Sequence, residues 1–342
     1  MTVGEKNLNR PNKTVLLVGE TGTGKSALVN ALFNHMMGVT WEDGVWFQLV
    51  EDNNSDQTQT LDVMVYQIFG YQGNAPPFSL TIIDTPGFGD TRGIERDVMI
   101  SERLLDLFRM RGGVHSIHAV GLVVKSFENR LSDRLLYVFN SVMSLFGKDM
   151  ERNIVALMTH SDGLTPQDAL KVLEAAKIKC VRNQKNQPIH FLFDNRQKTE
   201  RTEEEEFSLK YAWETSEEGL NQFTAFLNEV TPQRLDQTVN VLNERVRLTA
   251  CIKNLQERKM EEEKWKLLGE AYQHVISLEK IALNVDLVST YVHYDFLIKE
   301  MKERGDQEKV QKLEEMKRRL DERSKSVAAY VWNQVRGFWW KK

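Results

Sequence analysis

Cysteine is almost missing: the 342 residues include two, Cys180 and Cys251, far apart in the chain. That excludes a disulfide-built scaffold and a zinc site made of cysteines, and it fits a reducing compartment. Proline (7) and glycine (20) are sparse, which excludes collagen-like and Gly/Ser-rich chains. Neither sign of charge dominates, since 45 Lys and Arg stand against 49 Asp and Glu. Without a basic excess, nucleic acid is not an expected partner. No apolar run approaches the ~18 residues that a membrane span needs; the longest clear one is 119–124. The opening MTVGEKNLNRPNK has no apolar core of a secretory signal, and Gly4 is not at the second position that myristoylation reads. The expectation is a soluble, cytoplasmic protein.

What is present is alternation. Residues 14–18 (TVLLV) are continuous, apolar and followed by glycine, which predicts a strand buried on both faces. Residues 63–68 alternate like a strand with one open face, and 79–83 (SLTII) predict another buried strand. The turn-rich stretch 70–77 between them predicts a hairpin with a long loop. Further strands are expected at 119–124, 154–158 and 189–193, with helical patterns near 101–111, 130–146 and 166–182. Strands alternating with helices imply a mostly parallel sheet covered on both faces. From about Leu235 the strand signals stop. Val239, Leu242 and Val246 have helical spacing, as do Trp265, Leu268, Tyr272 and Val275, and a third stripe runs from Leu313 to Phe338. The acidic run 203–206 predicts a solvated loop or a helix start.

Gly19-Glu20-Thr21-Gly22-Thr23-Gly24-Lys25-Ser26 fits G-x-x-x-x-G-K-[ST] in full, between a predicted strand and a helical stretch over 26–33. Glycines let backbone N–H groups converge on phosphate oxygens, and a helix start adds favourable dipole charge. The loop, with Ala27 just inside the helix, is therefore the phosphate-binding candidate. Lys25 is expected to reach the β- and γ-phosphates, and Ser26 to offer its hydroxyl to Mg2+.

Further along, a predicted buried strand ends in an acid: Ile82-Ile83-Asp84-Thr85-Pro86-Gly87. Asp84 there suits a magnesium held through a water. The Gly87 amide suits a γ-phosphate and would come free when that phosphate leaves, the coupling behind a nucleotide switch. A second switch element is expected within 52–60, where a hydroxyl would meet the metal. Ser55, Thr58 and Thr60 are the candidates; Thr58 is preferred, for both the metal and the catalytic role, with Thr60 as the alternative.

Strand 154–158 runs into Thr159-His160-Ser161-Asp162. A carboxylate at Asp162 can accept two hydrogen bonds from guanine N1–H and its exocyclic amine, a donor pair that adenine lacks on that edge. The next strand ends in Phe193-Asp194-Asn195, which offers Asp194 and Asn195 near the O6 edge of the base. His160 is expected along the base or facing a partner.

GETGTGKS, DTPGFGDT, THSD and FDN, in this order and spacing, resemble the septin-like P-loop GTPases of the TRAFAC class, most of all the GIMAP-type, immune-associated nucleotide-binding group. The resemblance covers roughly residues 12–230. The FGDT extension and His160, where the general pattern carries lysine, are similar to this group in particular. The resemblance implies an α/β fold with a Ras-like, mostly parallel six-stranded sheet. From the residue patterns, which put a boundary near 230–240, a GTPase domain is expected over 13–234, after a flexible N-terminus over 1–12 and before an all-α region over 235–342; the resemblance does not reach that last region. The resemblance also implies GTP/GDP and Mg2+ as ligands, and nucleotide-dependent association as a homodimer or oligomer.

Ras-type hydrolysis positions its water with a Gln just after this DxxG segment. Here Phe88, Gly89 and Asp90 follow. Slow GTP hydrolysis is therefore expected, with the missing group supplied by a second subunit or a protein effector. Arg92, Arg96 and His160 are the candidates within the chain. Beside the switch stand a scaffold with a structural nucleotide and an ATP-dependent P-loop kinase, against which the lack of an Arg-rich lid speaks. Residues 331–342 mix Trp and Phe with Arg and Lys. Packing on the protein itself is expected there, with a membrane surface or another chain as alternatives.

Overall fold

The computed structural model describes residues 1–5, 9–50, 62–69, 76–89, 95–257, 261–284 and 288–319. Ser55, Thr58, Thr60, Arg92 and the aromatic stretch 331–342 lie outside the described residues. The chain runs β1 (Thr2–Val3), β2 (Asn12–Gly19), α1 (Lys25–Met37), β3 (Met64–Ile68), β4 (Ser79–Asp84) and α2 (Glu95–Arg109). It continues with β5 (Ser116–Ile117), β6 (Ala119–Lys125), α3 (Asp133–Met143), β7 (Ile154–Thr159), α4 (Gln167–Ala175) and β8 (His190–Leu192). Then come α5 (Glu206–Glu229), β9 (Gln233–Arg234), α6 (Asp236–Glu257), α7 (Glu261–Ile281), α8 (Val288–Glu303) and α9 (Gln307–Arg319).

Among the described residues, seven strands form the main sheet in the order β1-β3-β4-β2-β6-β7-β8. Strand β2 lies parallel to β4 and β6, β6 to β7, and β7 to β8; β3 pairs antiparallel with β4 as the expected hairpin. This is the expected α/β, Ras-like, mostly parallel sheet, with one strand more than the six expected. The added strand is β1, whose Thr2 and Val3 lie opposite Gln67 and Ile68. Phe69 donates to Val3 O at 3.0 Å. Thr2 and Val3 thus pair backbone groups that would otherwise stand open on the β3 edge.

The central strands read as unbroken apolar runs because both their faces are covered. Val15, Leu16, Leu17 and Val18 of β2, Ile82 and Ile83 of β4, and Ile154, Val155 and Leu157 of β7 are fully buried. Helix α1 ends where Gly38 turns left-handed and its N–H bonds the carbonyls of Asn34 and His35. Ser132 caps α3, accepting from the Leu135 amide at 3.1 Å. The turn of α5 at Gly219 comes so near β8 that a Cβ there would meet Leu192 O at 1.9 Å.

The chain divides into two compact units: residues 1–90, 114–131 and 151–234, and residues 91–113, 132–150 and 235–342. The first holds the main sheet with α1, α4 and α5. The second groups α2 and α3 with the C-terminal helices. In this second unit the Tyr137 hydroxyl donates to Asp97 at 2.5 Å, joining α3 to α2. Arg245 of α6 donates to Ser144 O at 2.9 Å and to Asn284 O at 3.0 Å. Val241, Leu248, Leu268, Val275, Leu297 and Leu313 form its apolar core. Among the described residues no helix is long and apolar enough to cross a membrane.

Candidate functional site

The candidate residues gather at the carboxyl ends of β2, β4 and β7 and in the segment after β8. Loop 19–24 leaves β2 and opens α1, with Gly24 as its N-cap at φ 85°. Thr23 Oγ1 donates back to Glu20 O at 2.9 Å and tightens the loop. The Lys25 ammonium donates to Gly19 O at 3.2 Å and Glu20 O at 2.9 Å. Burial pushes its pKa down to about 8, against the pull of the Asp84 and Glu20 carboxylates. A phosphate beside this nitrogen would favour its charged form. Ser26 and Ala27 follow in the first turn of α1.

Register brings the acid to this loop. Asp84, the last residue of β4, lies opposite Leu17 of β2 and is fully buried. Thr85 Oγ1 donates to Leu17 O at 2.9 Å, and the Phe88 amide donates to Gly19 O at 3.0 Å. Glu20 and Phe88 form a parallel bridge, so segment 85–88 is fastened along the start of the loop. Gly87 has to be glycine here, because a Cβ would meet Thr21 Cα at 2.4 Å and Thr21 N at 2.6 Å. The Ser26 hydroxyl and the Asp84 carboxylate are hard oxygen donors, a set that fits Mg2+, which takes few protein ligands and keeps several waters. Thr58, expected to complete that set, lies outside the described residues.

Thr159 joins the loop to the third group of candidates. Its Oγ1 donates to Thr23 O at 2.7 Å, spanning from the end of β7 to the loop. His160 follows at φ 53°, with its ring stacked on Phe127 at 6.0 Å between centroids and 15° between planes. The Ser126 hydroxyl holds His160 O at 2.7 Å. Burial lowers the His160 pKa; Asp194 opposes this, and Lys125 and Arg196 add to it. The exposed Asp162 carboxylate accepts the Leu164 amide at 3.0 Å, and Tyr211 of α5 donates to Asp162 O at 2.9 Å. The Asp194 carboxylate takes Arg196 at 3.1 Å, and the Ser216 hydroxyl donates to Asn195 Oδ1 at 3.1 Å.

The sequence did not single out Ser126, Phe127, Tyr211 and Ser216. Ser126 and Phe127 directly follow β6, and Tyr211 and Ser216 lie on α5, at separations where no local spacing marks them. The candidates Thr21, Gly22, Gly24 and Gly87 stand together at the loop, and Thr159, His160, Asp162, Asp194 and Asn195 on the far side of Thr23. Arg96 belongs to α2, in the second compact unit.

A Ras-like sheet whose phosphate-binding loop lies between β2 and α1, with an aspartate at the end of the neighbouring parallel strand, defines a P-loop protein. The chain belongs to the AIG1 family, which it matches over residues 13–209. Over 152 residues it is 30% identical to GTP-binding protein A of Dictyostelium discoideum, which covers 44% of this chain and 29% of that protein. Over 155 residues it is 25% identical to Immune-associated nucleotide-binding protein 13 of Arabidopsis thaliana, covering 45% and 40% of the two. The chain thus spans less than half the length of these relatives. Among solved structures it is similar to Toc33 from Arabidopsis thaliana in complex with GDP and Mg2+, with a TM-score of 0.43, 18% identity, and coverage of 67% of this chain and 89% of that one.

Proposed function

We propose that this protein is a guanine-nucleotide-binding switch that takes GTP and GDP with magnesium and hydrolyses GTP slowly. The observation that carries the reading is the meeting of three groups at the carboxyl ends of the strands: the loop 19–26, the strand end 84–87, and 159–162 with 194–195. The loop amides and Lys25 hold the phosphates. Asp162 accepts from the guanine edge, and His160, backed by Phe127, lies along the base. Ser26, and Asp84 through a water, would hold magnesium, which would supply charge neutralisation at the phosphates. The Gly87 amide reports the terminal phosphate. Membership of the AIG1 family and likeness to a GTP-binding protein support guanine over adenine.

Slow hydrolysis follows from Phe88, whose ring is buried at the position where Ras-type chemistry uses a Gln. Association through the nucleotide face is supported by apolar side chains left open around the base loop. Phe127 is 62% exposed, Leu164 67% and Phe207 85%. Phe207 and Tyr211 share a face of α5 one turn apart, and the Tyr211 hydroxyl reaches Asp162 O. A second copy of the chain or a protein effector would cover them.

The reading is tested by titrating nucleotide-stripped protein with GTP, GDP and ATP in the presence of Mg2+. Guanine nucleotides are expected to bind and ATP not. Lys25→Ala and Asp162→Ala are each expected to weaken GTP binding roughly tenfold or more. Equal binding of ATP, or indifference to Asp162→Ala, overturns the guanine assignment and favours an ATP-dependent enzyme.

A further inference from the structure

The least satisfied side chain of the loop is Thr21. Its Oγ1 is shut off from solvent and has no hydrogen-bond partner. A buried hydroxyl left unpaired is costly, so its persistence in a folded site calls for an explanation. The other hydroxyl of the loop, on Thr23, is already committed to Glu20 O at 2.9 Å.

What the Thr21 hydroxyl faces is fixed by its neighbours. A Cβ on residue 87 would fall 2.3 Å from Thr21 Oγ1, so the hydroxyl lies directly against the Gly87 backbone. The juxtaposition is built rather than incidental. The Phe88 amide is tied to Gly19 O at 3.0 Å, and Thr85 Oγ1 to Leu17 O at 2.9 Å, which locks the 85–88 segment on the loop. Phe88 brings no polar group to this end, since its ring is turned into the core. The Lys25 ammonium is on the loop carbonyls of Gly19 and Glu20. Thr21 is thus an uncommitted donor beside the glycine whose amide reads the terminal phosphate.

We propose that the Thr21 hydroxyl donates a hydrogen bond to an oxygen of the nucleotide's terminal phosphate and so makes the site prefer triphosphate over diphosphate. The inference rests on the GTP/GDP reading above. A diphosphate leaves the hydroxyl as unsatisfied as it is now. A triphosphate gives it a charged acceptor, the stronger kind of hydrogen bond. Valine at this position keeps the shape and removes the donor, and serine keeps the donor and removes the methyl.

The experiment measures dissociation constants for GDP and for a non-hydrolysable GTP analogue, with Mg2+, on the full chain. Wild type, Thr21→Val and Thr21→Ser are compared. The quantity read is the ratio of the triphosphate to the diphosphate constant within each variant. Thr21→Val is expected to lose roughly tenfold in affinity for the triphosphate analogue, and Thr21→Ser to retain it. An unchanged triphosphate-to-diphosphate ratio in Thr21→Val overturns the proposal. Equal weakening of both nucleotides in that variant also overturns it, because that is the mark of a loop whose shape has been damaged. Wild-type protein that binds neither nucleotide overturns the guanine-nucleotide reading, and this proposal with it.

Discussion

His118 shows how a single side chain ties the fold to pH. The Thr14 amide donates to its Nδ1 at 3.0 Å, which requires that nitrogen to be unprotonated. Burial, with Lys13 adding to it, pushes the His118 pKa from 6.5 down to about 4. Between those values the unfolded ring holds a proton and the folded ring does not. The unfolded state therefore binds more protons there, and stability falls as pH drops through that window. His35 and His293 are pushed down to about 4 by burial in the same way and act in the same direction. His118→Asn offers an acceptor that does not titrate. The difference in thermal midpoint between about pH 7.5 and about pH 5 is expected to shrink by a few degrees in this variant. A difference equal to that of wild type would show that the Thr14 contact does not carry the effect. Legibility at this scale follows contiguity. Loop 19–26 and segment 84–87 are visible in sequence because their residues are neighbours in the chain. The Phe127 ring behind His160 and the Ser216 hydroxyl under Asn195 are invisible, because strand register and helix placement bring them there.

At the scale of elements, α1 does more than present the loop. Asn30 and Asn34 on its inner face are buried. Asn30 accepts from the Leu49 amide at 2.8 Å and the Val50 amide at 2.9 Å, and donates to Val50 O at 3.0 Å. Asn34 accepts from the Phe47 amide at 2.9 Å and donates to Phe47 O at 2.7 Å. Two helical side chains one turn apart thus replace a strand partner for backbone 47–50, immediately before the stretch expected to hold the second switch. Asn30→Ala is expected to cost about 2–3 kcal/mol in urea unfolding, since several buried backbone groups lose their partner. Amide exchange at Leu49 and Val50 should speed up; protection equal to wild type would refute the anchor. The asparagines interrupt the apolar stripe of α1, so pattern reading places a helix there over 26–33 only, although it runs Lys25–Met37. Helix α5 was missed for a related reason. Leu209, Trp213, Leu220, Phe223 and Leu227 make its buried stripe, but Ser216, Gly219 and Thr224 are buried among them and dilute the signal. The helix begins at Glu206, the last residue of the acidic run 203–206, in line with the helix-start alternative for that run. Strand β1 has two residues, too few for any period to show.

At the scale of the whole molecule, chain order and compactness follow different lines. Strand signals end near Leu235, and the elements after it are helices among the described residues. The second compact unit nevertheless draws 91–113 and 132–150 from between the strands and joins them to 235–342. Periodicity reports what an element is and which face it buries; it carries no information on which distant element covers that face. The contacts inside this unit show what depends on them. Leu283 donates to Phe146 O at 2.8 Å, and Lys148 reaches Glu279 O at 2.9 Å. The Thr238 hydroxyl accepts the Gly147 amide at 3.2 Å, and Gln237 accepts the Asp149 amide at 3.1 Å. Arg245, with its pKa pushed down to about 10 by burial, closes the carbonyl of Ser144 at the end of α3. A chain stopped at residue 234 would leave Ser144, Phe146, Gly147 and Asp149 without these partners. It would also strip α6 from α2. Such a chain is expected to melt roughly 10 °C or more below the full chain and to expose apolar surface to a hydrophobic dye. If it instead melts cooperatively at the same temperature, the helices after 235 are appended to a self-sufficient domain. Loss of that stability would make 235–342 part of what keeps α2 and α3 folded, since all of them belong to the same compact unit.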